Sequence, residues 1–459
     1  MTAVFDVLTE AFKGTPFEGC LWVVGGSVRD QILGVDDGSD IDLVLEGSAE
    51  EAARYLFESG VSSIPPVVYP RFGTALVRVA NLDIELVTAR KESYDHNSRK
   101  PFVEPATLLE DAQRRDFTVN TLLKNLHTGE IRDPLGTGLA DLEGRILRTP
   151  LDPAETFEDD PLRMLRAVRF RWKLGLTPVE GLYQAIQAKR ERLTIISMER
   201  IRDEFLKMLK LPSAPEAMND LMTLGLFRFI APEFEAMPGV EQGDYHHLDV
   251  WNHTLEVVRN CSGKPTDGQT LRLAALLHDV GKPSTRTIDA EGRTRFFGHE
   301  SLGAQLTVGI LRRLKLSNDD IEPVSLLVKN HMRLGSATKF SKPAARRLMR
   351  DLGPWLLHLL DLVDADANAL KKGVRVFDLG QIKSVLDQVS LETPVEKLDS
   401  PLSGAEIMEL TGLVPGKRVG AIKDILADAV IQGTLHPDDK DAARAIVLGL
   451  ESTDKPESS

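Results

Sequence analysis

Residues 21–47 read LWVVGGSVRDQILGVDDGSDIDLVLEG, and this stretch decides the fold of the first third of the chain. An apolar run ends at Gly25-Gly26, where the missing side chains let backbone approach a ligand closely. A helix that starts there offers free N–H groups to a phosphate, and Arg29 falls in its first turns. The next run, DIDLVLEG, sets Asp40 and Asp42 two apart on a strand, so both carboxylates project from one face. Paired hard oxygen ligands suit Mg2+. Two such ions can activate an attacking hydroxyl and stabilise a leaving pyrophosphate. A bare Asp-x-Asp is more often a pair of solvated strand-edge side chains. The GG-x-V-R-D turn just upstream moves the reading to phosphate chemistry.

Working outward, TALVRVAN (residues 74–81) and LDIELVTA (residues 82–89) also read as strands, so residues 1–145 mix strand and helix. Beyond about residue 155 the pattern is helical, as in PLRMLRAVRFRWKLG and MERIRDEFLKMLK, with apolar spacing of three and four. A change in character follows LKKG (residues 370–373), and the tail STDKPESS reads as unstructured. The chain has 459 residues, which favours several domains. It has two cysteines, Cys20 and Cys261, and no CxxC, which argues against a disulfide framework and fits a cytoplasmic location. Asp6 and Glu10 interrupt the first apolar residues, unlike a signal peptide, and no apolar run approaches a membrane span. The net charge is −13, so a nucleic-acid binder must gather its cations locally. AKRERL (residues 188–193) and KPAARRLMR (residues 342–350) are the candidates.

GGSVRD followed by DID resembles the first motif of the class II tRNA nucleotidyltransferases and their relatives, the bacterial poly(A) polymerases. The resemblance implies that Asp40 and Asp42 are catalytic and hold Mg2+, and that Gly25, Gly26 and Arg29 contact the triphosphate. RRDFTVNTL (residues 114–122) resembles the second, nucleotide-binding motif, in which Arg115 and Asp116 hold the sugar and phosphates of the incoming nucleotide and to which Asn120 also belongs. FEDDPLRMLRAVRF (residues 157–170) resembles the nucleotide-selecting motif Glu-Asp-x-x-Arg, with Asp159 where the family has Glu. Asp160 and Arg163 fall on its reading positions, and Arg166 and Arg169 continue the same helix face. A carboxylate accepts hydrogen bonds and a guanidinium only donates them. Cytosine and adenine both present an amino donor beside a ring-nitrogen acceptor. Guanine and uracil present the reverse, so one Asp/Arg pair can select C and A without a template. Asp160 before Pro161 is also a good helix cap, and capping need not exclude base reading. LVTARKESY (residues 86–94) resembles the tRNA-type branch, and YDHNSRKPFVEPATL looks like its flexible loop at full length. By that resemblance a full-length loop favours complete CCA addition over addition of CC alone. Asp83 and Glu85 precede the loop; either a third metal-supporting carboxylate or a structural role fits them.

Six of the ten histidines lie between His246 and His331. His253, His278-Asp279, His299, His331 and Asp366 occur in an order that resembles the HD phosphohydrolase superfamily. Imidazoles and carboxylates together suit divalent metals. The resemblance implies that His253, His278, Asp279 and Asp366 hold one metal, of unknown identity. His299 and His331 would hold a second metal or the substrate phosphate, and Lys282 would contact phosphate. Asp364 competes with Asp366 for the last position. Some family members carry such a domain with 2′,3′-cyclic phosphodiesterase, 2′-nucleotidase and phosphatase activity.

The expected fold is α+β: a nucleotidyltransferase head with a small mixed sheet (residues 1–150), then a helical neck and RNA-binding body (151–245), an HD domain (246–375) and a helical tail (376–459). The expected partners are tRNA, CTP and ATP, and no membrane. The rival readings are a poly(A) polymerase or a partial CC- or A-adding enzyme. From another class come an HD phosphohydrolase whose head only binds RNA, and a nucleotide-binding regulator without turnover.

Overall fold

The structure is a computed structural model that describes residues 2–35, 41–93, 102–243, 246–334, 340–371, 373, 378–392, 394 and 397–453. By their contacts the residues group into two compact units, Met1–Glu235 and Ala236–Ser459.

The described residues of the first unit hold a short parallel pair, Ile146–Leu147 with Thr177–Pro178, and nine strands before it: β1 (Leu21–Val24), β2 (Ile41–Leu45), β3 (Val67–Tyr69), β4 (Thr74–Val79), β5 (Leu82–Thr88), β6 (Arg90–Ser93), β7 (Phe102–Pro105), β8 (Leu123–Asn125) and β9 (Ile131–Arg132). Seven of them form one sheet in the order β3-β4-β5-β2-β1-β8-β9, and β6 and β7 pair separately as an antiparallel ribbon. Within the sheet β2 and β5 run parallel and the other neighbours antiparallel, so the sheet is mixed, as expected. All four residues of β1 are buried, as suits a strand covered on both faces. Gly25 follows at φ 81, a left-handed conformation open to glycine, and turns the chain into the helix Gly26–Ile32. A capping box between Thr107 and Glu110 starts the helix Leu108–Gln113 where the chain leaves the ribbon.

From residue 153 to the end of this unit the chain is almost all helix. Leu162–Leu174 buries Leu165, Val168 and Phe170 and stops at Gly175, which stands at φ 65. Met198–Leu209 packs beside it, and Phe205, Phe227 and Phe234 form an edge-to-face aromatic series in the core.

In the second unit, helices Val250–Asn260, Gln269–Leu277, His299–Arg313, Asn318–Asn330 and Leu356–Asn368 carry the histidine series. One short hairpin, Thr287–Ile288 with Thr294–Arg295, interrupts the helical pattern. The last helix, Lys440–Thr453, runs two residues into the tail that reads as unstructured, and residues 454–459 lie outside the described residues. Among the described residues no helix is long and apolar enough to cross a membrane.

Candidate active sites in the two units

In the first unit the strand register sets the acidic face. Asp42 pairs in register with Val24 on one side and Glu85 on the other. Asp42 and Glu85 therefore stand side by side on one face of the sheet. Like charges so opposed repel each other, and a bound cation between them would turn that repulsion into attraction. The Asp42 carboxylate also faces the glycine turn, since a Cβ on Gly25 would lie 3.8 Å from its Oδ2. Asp83, the other carboxylate before the loop, is held by Arg78 at 2.6 Å. Asp40 and residues 94–101 of the expected loop lie outside the described residues.

A continuous polar network links the motifs of this unit. Arg29, 2 % exposed, donates twice to Asp30 and once to Asn120 Oδ1 at 2.6 Å. Asn120 donates to Asp116 Oδ1 at 3.0 Å. Arg166 donates to Asp116 Oδ2 at 2.8 Å, and Glu204 accepts from Arg169 at 2.5 Å. Arg29, Arg166 and Arg169 all lie over the Phe170 ring, 4.3–5.3 Å from its centre. Burial would raise the Asp116 carboxyl, but the Arg166 charge and the Asn120 and Arg166 hydrogen bonds outweigh it and hold its pKa at about 2. Arg115 donates to Asp111, which Arg114 holds from the other side. The network thus joins Arg29, Asn120, Asp116 and Arg166 from three separate motifs.

Asp160 accepts the Leu162 amide at 3.1 Å on one oxygen and Arg200 at 3.0 Å on the other. Arg163 is buried and donates to the carbonyls of Thr156 and Arg114, which fixes the plane of its guanidinium. Arg200 and Glu204, one turn apart on Met198–Leu209, hold Asp160 just before the neighbouring helix and Arg166 on it. Neither was singled out from sequence; their spacing of four on an amphipathic helix is the signal that was there to be read.

In the second unit the expected cluster forms. His253 Nε2 lies 2.9 Å from Asp366 Oδ1 and 3.8 Å from Asp279 Oδ2, and His278 Nε2 lies 3.1 Å from Asp279 Oδ2. On the other Asp279 oxygen, His299 Nε2 stands at 3.5 Å and His331 Nε2 at 3.8 Å. Two triads able to hold a metal thus share Asp279: with His253 and His278, and with His299 and His331. Three of the rings are oriented alike. Nδ1 of His278, His299 and His331 lies 2.7–2.8 Å from the carbonyl three residues earlier. A carbonyl only accepts, so Nδ1 carries the proton and Nε2 keeps its lone pair for the cluster. His278 Nε2 and Asp279 Oδ1 are buried without a hydrogen-bond partner. A divalent cation fits this donor set and would satisfy both atoms.

Charge follows geometry. Burial would raise the Asp279 carboxyl, but His278 and Lys282 drive it well below the usual range. Burial brings His331 down to about 3, which keeps it neutral and ligand-like. Asp366, not Asp364, faces the cluster, because Asp364 pairs with Lys264 on the other side of its helix. Lys282 is buried between Asp279 at 2.7 Å and Gln242 at 2.6 Å. His246 was missed from sequence. Its ring meets the His253 ring edge-on at 4.7 Å, and burial lowers its pKa to about 3. Gly281 is the tight point: a Cβ there would collide with the His299 carbonyl and the Gly303 amide.

A nucleotidyltransferase-type head beside a separate histidine–aspartate cluster defines the class. Family models for the poly A polymerase head domain, the probable RNA and SrmB-binding site of polymerase A, and the HD domain match residues 21–148, 175–237 and 243–367. An A-adding tRNA nucleotidyltransferase of Deinococcus radiodurans is 36 % identical, over 90 % of this chain and 92 % of its own. A CC-adding tRNA nucleotidyltransferase of Thermus thermophilus is 34 % identical, over 93 % and 92 %. The solved CCA-adding enzyme of Bacillus stearothermophilus in complex with CTP shares the fold, with a TM-score of 0.70 over 97 % of this chain and 96 % of that chain at 22 % identity. The chain belongs to the class II tRNA nucleotidyltransferase family.

Proposed function

We propose that this protein adds C, C and A in turn to the 3′ end of tRNA from CTP and ATP, without a nucleic-acid template. The network that ties Arg29, Asn120, Asp116 and Arg166 into one unit carries the reading. In each cycle the tRNA 3′ oxygen bonds to the α-phosphorus, the bond to the pyrophosphate oxygen breaks, and the hydroxyl proton passes to water. Mg2+ held by Asp40 and Asp42 would supply the positive charge for this step; Glu85 stands where it can support the same ion. Arg29, Arg115 and Arg166 spend their charge on Asp30, Asp111 and Asp116 here. Triphosphate binding would draw on that charge. Asp160 accepts from the amino group of C or A, and Arg163 donates to the ring nitrogen. The division of the chain at residues 150, 245 and 375 into head, body, HD domain and tail is part of this proposal. Asp42→Ala should abolish nucleotide addition with the fold intact; normal turnover in that variant at ordinary Mg2+ would contradict the assignment.

A second reading, addition of A alone, is favoured by the A-adding relative, which aligns over 92 % of its length. The resemblance of residues 94–108 to the full-length loop of the family speaks against addition of CC alone.

The His-Asp cluster supports a second activity, hydrolysis of cyclic and 2′-phosphoesters. A divalent cation bound there would supply Lewis acidity toward a phosphoryl oxygen. His253, His278, Asp279 and Asp366 would hold it, and His299 and His331 would hold a second ion or the phosphate. Water adds its oxygen to phosphorus, one ester P–O bond breaks, and the departing ribose oxygen takes the proton. Asp279→Ala should lose hydrolysis of 2′,3′-cyclic AMP and bound metal together. Protein that binds no metal in this unit and cleaves neither ester type would rule the activity out.

A further inference from the structure

Phe297 is 80 % exposed, the most exposed aromatic side chain among the described residues. It stands two residues before His299, a chain span of at most roughly 7 Å. Its backbone is not free to turn. The carbonyl of Phe296 accepts from both Nδ1 and the amide of His299, and Gly298 takes a left-handed φ of 76. The inward position is already filled, because Lys282 Nζ, which pairs with Asp279, lies 5.5 Å from the Phe296 ring centre. Phe296 thus faces Lys282 of the cluster, and Phe297, the next residue, is left exposed. A lone exposed phenylalanine needs no explanation on an ordinary surface. One placed two residues from a histidine of a phosphate-type site has a specific use, since every base offers a flat face to stack on an aromatic ring.

We infer that Phe297 is the base-stacking residue of the His-Asp site, so that this site takes phosphates carried on a nucleoside in preference to phosphoesters without a base. The inference rests on the hydrolytic reading of that site. It makes Phe297 a positioning residue: it touches the base and leaves the reacting atoms to the cluster. The test uses the full-length chain with its divalent metal and two probes, 2′,3′-cyclic AMP and the base-less 1,2-cyclic phosphate of glycerol. In Phe297→Ala the KM for cyclic AMP should rise at least about fivefold, the low end of what losing one base–aromatic stack costs. The kcat should hold, the glycerol ester should be cleaved as before, and Phe297→Trp should restore the KM. An unchanged KM for cyclic AMP in Phe297→Ala, with hydrolysis still dependent on Asp279, would overturn the inference and leave the hydrolytic reading standing. Equal losses on both probes would also overturn it, as the mark of a merely structural side chain. No Asp279-dependent hydrolysis by the unaltered protein would overturn both.

Discussion

Asp160 spends one oxygen on the Leu162 amide and the other on Arg200, so the carboxylate assigned to base choice is held from two sides before any base arrives. Asp160→Ala should weaken discrimination against UTP and GTP at least about fivefold, because each mismatched buried group costs about 1–3 kcal/mol. Arg200→Ala should weaken it less, by loosening Asp160 without removing it. Incorporation of all four labelled nucleotides by each variant measures this, and unchanged selectivity in Asp160→Ala would leave Asp160 as a cap alone. Asp116 makes a prediction in pH. Its folded pKa, about 2, lies below the ordinary 3.8. Its contribution is therefore complete above about pH 4 and is lost as pH falls toward 2, by about 2 kcal/mol. Acid unfolding of the full chain should show that loss, and Asp116→Asn should flatten it. Asp160 and Asp116 were both legible in the sequence, within a motif. Arg200 and Glu204 were not, because their partners lie 35–40 residues away in the chain and meet them only once the two helices pack.

Each element's periodicity decided how much of it was legible. The strands β1, β2, β4 and β5 were readable because apolar runs or alternation end at glycine or polar turns. The ribbon of β6 and β7 was not, since ARKES and FVEP carry no burial pattern that separates strand from loop. The histidine series was readable from its order, but Asp364 and Asp366 both flank the apolar stripe of one helix. Lys264, a hundred residues away, pairs with one and leaves the other to His253. The turn at Gly281 gives the sharpest test at this scale. A methyl group there meets backbone on both sides, and backbone cannot step aside as a side chain can. Gly281→Ala should destabilise the second unit by about 1–3 kcal/mol and displace His299. Metal content should fall with the thermal midpoint, and a variant with full metal content and an unshifted midpoint would contradict the geometry.

For the whole molecule, the charge of −13 leaves little net attraction for RNA, and most cations of the two basic segments have acidic neighbours. Lys189 and Arg192 pair with Glu158, Lys342 and Arg346 with Glu392, and Arg347 and Arg350 with Asp428 and Asp351. Asp351 follows Arg350 directly, but Glu158, Glu392 and Asp428 come from elsewhere in the chain, so a local window announces only part of the neutralisation. Reversing the charges in residues 188–193 should lower thermal stability and leave the salt dependence of tRNA affinity unchanged. A slope flattened by about one unit per lost cation would restore those residues as phosphate contacts. The two sites also lie in separate compact units. Asp42→Ala should stop nucleotide addition and spare ester hydrolysis, and Asp279→Ala should do the reverse. The most direct measurement supplies labelled CTP and ATP to three forms of one tRNA: lacking CCA, ending in C, and ending in CC. The account predicts two C additions followed by one A on the first, one C and one A on the second, and a single A on the third, with UTP and GTP refused. Addition of A to the CC-ending tRNA alone, with no use of CTP on the other two, would contradict it.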